Sequence, residues 1–128
     1  MNDYSACDAT ELAARVRRGE VQPVELVEQA IAGIEAVNPA LNAVMHPMYE
    51  AARAAARALP DGPFRGVPMV VKDHDGFVKG EPYTAGTRFL EGFVPGHDSE
   101  AIARLRRAGL VFAAKTNLPE LAILRTTE

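Results

Sequence analysis

The run Gly66-Val67-Pro68-Met69-Val70-Val71-Lys72-Asp73 constrains this chain more than any other stretch. Val67 to Val71 carries no charge, and Val67, Val70 and Val71 are β-branched. A run so short and so apolar predicts a buried strand rather than a helix. Being apolar on both alternating faces, it reads as an interior strand of a largely parallel sheet, covered on both sides. Alternation puts Val67, Met69, Val71 and Asp73 on one face, and Pro68, Val70 and Lys72 on the other. Lys72 is therefore expected at the C-terminal end of a core strand, facing away from its neighbouring carboxylate. In open α/β sheets that edge is where ligands bind.

A lysine at such a position has chemical potential. Lysine normally titrates near about 10.4, so acting as a neutral base near pH 7 means a drop of ~3 units, about 4 kcal/mol. Desolvation beside an apolar strand pushes that way, whereas a contacting carboxylate opposes it. The alternation keeps Asp73 off the face of Lys72, which permits a neutral amine. The plainer alternative is that Lys72-Asp73 only marks where the strand leaves the core. Spacing alone leaves both readings open.

The rest of the chain supplies what surrounds this strand. Asp8 and Glu11 have the spacing of a capping box before a first amphipathic helix, with Leu12 and Val16 as its apolar stripe and Gly19 as its stop. Arg15, Arg17 and Arg18 form its solvated side. Pro23 suits the first turn of a second helix, whose stripe is Val24, Val27, Ile31 and Ile34, and Asn38-Pro39 is expected to end it. Leu41 to Met45 reads as extended. Pro47 then opens an alanine-rich third helix running to about Leu59, before the breaker Pro60-Asp61-Gly62-Pro63. Residues 73–97 hold no convincing regular element, and a loop that long is usually functional. Asp98 is expected to cap a fourth helix with stripe Ala101, Ile102, Leu105 and Ala108, closed by Gly109. Leu110 to Lys115 follows as a second short apolar run ending in lysine. Strand, connection with helix and strand make a βαβ-like unit, and neighbouring strands would bring Lys72 and Lys115 to one sheet edge.

Composition narrows the class of protein. The chain has 128 residues, enough for one small domain, with 48% hydrophobic and 24% charged residues. Its net charge of −3 gives no reason to expect a nucleic-acid partner. Cys7 is the only cysteine, which excludes an internal disulfide and a cysteine-rich zinc site and fits a reducing cytoplasm. Met1 to Ser5 lacks the pattern of a secretory leader. No apolar run approaches the ~18 residues of a membrane span. The expectation is a cytoplasmic protein without a membrane partner.

Other sites fail on inspection. His46, His74 and His97 share no helical spacing. Asp73-His74-Asp75-Gly76 is not a calcium loop, because Phe77 and Thr84 stand where oxygen ligands are required. No glycine-rich phosphate loop follows either strand. Arg104, Arg106 and Arg107 read as the solvated face of the fourth helix. The only serines are Ser5 and Ser99, and neither lies in a glycine-rich turn that would bare its oxygen. Lys72 thus has no serine in this chain to activate.

Taken together, several stretches resemble the amidase signature family of hydrolases. They are Gly66 to Asp73, Thr84-Ala85-Gly86-Thr87, Val94-Pro95-Gly96-His97-Asp98, Arg104 to Gly109, and Lys115-Thr116-Asn117-Leu118-Pro119-Glu120-Leu121. Gly19-Glu20-Val21, Pro23 to Leu26, Ile34-Glu35 and Asn38 to Val44 extend the likeness over nearly the whole chain, in order. Glu120-Leu121 with Thr126-Thr127-Glu128 is most similar to the branch of cyclic-dimer nylon-oligomer hydrolases and broad amidases.

The resemblance implies an α/β fold: the N-terminal part of an α/β/α sandwich with a mixed central sheet, N-terminal helices and a βαβ-like unit. It implies hydrolysis of carboxylic amides by a triad of serine, a serine in a cis peptide, and lysine. Lys72 matches the family's catalytic lysine, and this pattern selects it over Lys115. A small-molecule amide is the implied substrate, with no metal or organic cofactor and with homo-oligomers allowed. Substrate-binding residues are not assigned. The family's glycine- and serine-rich segment belongs beyond Glu128, so residues 1–128 are expected to be one incomplete portion of a single domain, inactive alone and poorly soluble, self-associating or partly disordered. Two other readings compete: a non-catalytic fragment or partner-binding module, and a Schiff-base lysine lyase using Lys72.

Overall fold

The computed structural model describes residues 4–127. Met1 to Asp3 and Glu128, on which part of the leader and branch readings rested, lie outside the described residues. The elements run α1 (Ala9–Arg17), α2 (Pro23–Leu41), β1 (Val44–Pro47), α3 (Tyr49–Ala56), β2 (Pro68–Lys72), α4 (Glu100–Arg107) and β3 (Val111–Thr116), with short 3-10 turns between and beyond them.

Helix boundaries follow the caps, with instructive exceptions. Asp8 caps α1 by accepting from the Glu11 amide at 2.8 Å, and Gly19 leaves the helix at φ +72°. The Glu11 carboxylate does not complete the box; it is taken by Arg15 at 2.9 Å and Arg18 at 3.2 Å. In α2, Glu25 accepts from the Gln22 amide at 2.7 Å. Contrary to expectation, α2 runs through Pro39 to Leu41. Proline costs a helix one donor and crowds the preceding turn, yet here it stands in the last turn, where a cap takes over. Asn42 turns left-handed and its amide reaches Asn38 O at 2.7 Å. The Asn38 side chain meanwhile accepts from Val44 N at 2.7 Å and donates to Val44 O at 3.0 Å, tying the helix end to β1. Pro47 closes β1 rather than opening α3, and α3 stops at Ala56, short of Leu59.

The sheet order is β1-β3-β2, antiparallel between β1 and β3 and parallel between β2 and β3. The interior place expected of β2 is not filled among the described residues. Among the described residues β2 is an edge, and its Val70 is 42% exposed. β3 occupies the centre and is buried from Val111 to Lys115. The two apolar runs differ in this because β3 has a strand on each side and β2 has one.

Helices cover both faces. Val27 and Ile31 of α2 and Ala52 and Ala56 of α3 pack with Val111. On the opposite face Ile102 of α4 and Val78 of the long loop pack with Val71 and Phe112. A mixed α/β fold with a βαβ-like unit is therefore present. Ser99, not Asp98, occupies the N-cap position of α4. Asp98 instead accepts from Lys79 N at 2.7 Å and pairs with Arg106 at 2.6 Å. Arg106 also lies over the Phe112 ring, 5.0 Å from its centroid. It is thus a strut between α4, the loop and β3, and only Arg104 and Arg107 form the exposed face expected of all three. No helix among the described residues is long and apolar enough to cross a membrane.

Candidate active site

Lys72 ends β2 half-buried, opposite Thr116 in the parallel register. Its carbonyl accepts from Asp75 N at 3.1 Å, so the chain turns immediately after the strand. Among the described residues its amine makes no hydrogen bond and no ion pair. That is the local condition the alternation predicts.

Asp73 is fully engaged elsewhere. Its Oδ1 accepts from Lys115 Nζ at 2.7 Å, and its Oδ2 accepts from Thr84 N at 2.9 Å and Thr84 Oγ1 at 2.6 Å. Both ionised side chains are buried, with relative side-chain exposures of 0% for Lys115 and 1% for Asp73. Lys115 Nζ also donates to Pro82 O and lies 5.3 Å from the Tyr83 ring centroid. Burial pushes the Tyr83 phenol up, and the charges of Asp73 and Asp75 push it further the same way. A buried ion pair is supported only when its remaining polar atoms are also satisfied, and Thr84 and Pro82 do that here. The main chain of Asp73 adds two ties, donating to Thr116 O at 3.2 Å and accepting from Ala85 N at 3.1 Å.

The two strand-end lysines therefore share an edge and differ in face. Lys115 stands opposite Val71, so it shares the Val71–Asp73 face, away from Lys72. The sequence shows both lysines at strand ends but not that Lys115 pairs with Asp73. The signal was available: the alternation that separates Asp73 from Lys72 also sends Asp73 toward whichever neighbour faces Val71.

Other stretches converge on the same end of the sheet. Thr87 Oγ1 donates to Glu120 Oε1 at 2.8 Å, and Leu121 N donates to Ala85 O at 2.8 Å. Asn117 N reaches Ala43 O at 2.8 Å. Between them lies a groove of about 520 Å³ lined by Gly86, Asn117, Glu120 and Thr126, among others. A second, apolar groove of about 460 Å³ runs between α2 and β2, past Ile34, Val37, Pro68 and Val70. Lys72 lines neither of these two.

The histidines and Ser99 do not join Lys72. His46 Nε2 pairs with Glu81 Oε2 at 2.7 Å, the His97 ring stands edge-on to Phe77, and His74 is exposed. Ser99 Oγ is buried without a partner, in the space a Cβ on Gly76 would take. Among the described residues no group of three or more His, Cys, Asp or Glu side chains is placed to hold a metal ion.

Comparison with known proteins supplies the context for this arrangement. The family model described as Amidase matches residues 25–128. The 6-aminohexanoate-cyclic-dimer hydrolase of Paenarthrobacter ureafaciens is 42% identical over 123 residues, covering 94% of this chain and 25% of that protein. The corresponding enzyme of Pseudomonas sp. (strain NK87) is 41% identical over 123 residues, again covering 94% of this chain and 25% of that protein. Among solved structures, 6-aminohexanoate cyclic dimer hydrolase complexed with substrate superposes with a TM-score of 0.84 at 40% identity, over 90% of this chain and 24% of that one. A bacterial aryl acylamidase of the amidase signature family gives 0.82 at 31% identity, over 90% and 26%. This chain spans about a quarter of the length of these relatives. With the family model matched from residue 25 to residue 128 and the fold shared with its solved members, the chain belongs to the amidase signature family.

Proposed function

We propose that residues 1–128 supply the lysine of an amide hydrolase that works through a serine, a second serine in a cis peptide, and Lys72. The serines come from sequence outside these residues, in the same catalytic domain. Residues 1–128 alone then leave amides uncleaved. The observation carrying this reading is the Lys72 amine, half-buried at the C-terminal end of β2 with no carboxylate on it. Family membership supports it.

In this mechanism neutral Lys72 accepts a proton from the bridging serine, which takes one from the nucleophilic serine. The nucleophilic oxygen attacks the amide carbonyl, and the C–N bond breaks as the proton returns through the same relay to the leaving amine. Water then attacks the acyl ester, its proton follows the relay, and the carboxylic acid is released. The substrate is a carboxylic amide of small size, as the name of the cyclic-dimer hydrolase suggests for that relative.

The test is a hybrid enzyme. In the Paenarthrobacter hydrolase the matched segment is replaced by residues 1–128, and release of 6-aminohexanoate products is followed. Turnover by the hybrid, and none by residues 1–128 alone, is the expected result. A folded hybrid without turnover, or turnover by the short chain, refutes the proposal.

A further inference from the structure

The buried pair Lys115–Asp73 has a place in the fold that packing alone does not call for. Asp73 is the residue next to Lys72, and a carboxylate there is the nearest charge in sequence able to capture the amine or hold its proton. The structure engages that carboxylate completely. Lys115 crosses from the central strand to take Oδ1, and Thr84 brings two donors to Oδ2. Pro82 O and the Tyr83 ring complete the surroundings of the Lys115 ammonium. The other ionisable groups of this turn, His74 and Asp75, are exposed.

We infer that Lys115 and Asp73 are positioning residues for Lys72: the pair fixes the end of β2 and withholds the adjacent carboxylate from the Lys72 amine. This rests on the reading of Lys72 as a proton acceptor. Three features of the pair fit it. It lies on the face of the sheet opposite Lys72, so it can act without blocking the approach of substrate. It joins both parallel strands at their C-terminal ends, where a shift of the backbone would move Lys72. Its net charge is zero, so Lys72 meets neither an unpaired anion nor an unpaired cation through the strand.

The inference is tested on residues 1–128 by competitive labelling. Amines are modified with limiting acetic anhydride at fixed pH, and the ratio of Lys72 to Lys79 modification is read by peptide mass spectrometry. Lys79 is exposed and serves as the reference within each molecule. Lys115→Met leaves Asp73 without its cation, and the ratio is expected to fall about threefold or more. Asp73→Asn with Lys115→Met removes the stray carboxylate as well, and the ratio is expected to return to within twofold of the parent. Capture of the amine by a freed carboxylate is told from mere displacement of the strand end by pH: a captured amine holds its proton more tightly, so the deficit in Lys115→Met shrinks as the labelling pH is raised, whereas displacement leaves it constant.

An unchanged ratio in Lys115→Met, or a double variant as low as the single, overturns the inference. Should Lys115→Met unfold, seen as lost near-ultraviolet dichroism, Thr84→Val decides. It takes the hydroxyl from Oδ2, leaving the main-chain amide of residue 84 as the one donor there, and keeps Lys115; a fall of about twofold is expected, and no change refutes the inference. The labelling needs no catalysis, so its failure is distinct from failure of Lys72 as the base, which is read only from turnover of the hybrid.

Discussion

Val71 stands opposite Lys115 in the parallel pairing of β2 and β3, and this register sends Lys72 to the other face of the sheet. One end of the sheet thus carries two lysines in different surroundings. Lys115 is buried against a carboxylate, and Lys72 is half-buried with none. Any reading of the site follows from that separation.

The buried pair makes a prediction about stability. Removing one member of a buried ion pair costs about 3–5 kcal/mol, whereas replacing both can be nearly neutral. Urea unfolding of residues 1–128 should therefore show Lys115→Met as strongly destabilised. The double variant Asp73→Asn/Lys115→Met should be more stable than that single variant. Equal losses would mean that the buried charge is not what the pair balances.

Two glycines separate backbone strain from crowding. Gly19 has φ +72° and open space around a would-be Cβ, while Gly109 has φ +92° and would place its Cβ 2.6 Å from Arg65 Cα. Gly19→Ala incurs only the left-handed penalty, about 1–2 kcal/mol. Gly109→Ala adds overpacking of about 1–3 kcal/mol against backbone that cannot swing aside. Chemical denaturation should rank Gly109→Ala clearly the worse, and the reverse order would contradict the close approach at Arg65.

Acid should weaken the strut at Asp98. Burial alone would raise this carboxyl, but the Lys79 amide and the Arg106 guanidinium outweigh it and hold the group below its ordinary 3.8. A depressed folded-state value means stability present above 3.8 and lost as pH falls through the folded value. The contribution is small, at most about 1 kcal/mol for so accessible a pair. Asp98→Asn should melt lower than the parent at pH 7, and the difference should close below pH ~3. A constant difference across that range would exclude the linkage.

The outer edge of β2 should govern behaviour in solution. No strand covers it among the described residues, and Val70 and Val37 are 42% and 51% exposed beside an apolar groove. Bare edges with apolar flanks template association. Light scattering should find residues 1–128 associated at tens of micromolar, and Val70→Lys should shift them toward monomer. A monomeric parent chain would refute this.

The sequence revealed what is local and hid what is shared between elements. Alternation placed Lys72, and apolar runs found β2 and β3 and suggested their pairing. It could not rank the strands, because Val67–Val71 and Leu110–Ala114 are equally apolar and only the position of β1 makes β3 central. Pro39 looked like a helix stop because the Asn38 and Asn42 side of the turn becomes visible only once β1 lies beside it. Arg106 and Asp98 read as surface and cap until the loop folded back between them. Lys115 read as a rival to Lys72 for the same reason: its partner lies across the sheet.

The decisive measurement is turnover of the hybrid hydrolase with Lys72→Met, on protein shown to be folded by near-ultraviolet dichroism. A base that drives both acylation and deacylation should be indispensable, with kcat falling by at least about 10²–10⁴-fold, the range for positioned acid–base groups. If folded Lys72→Met hydrolyses amide as fast as the hybrid it came from, Lys72 is not the base.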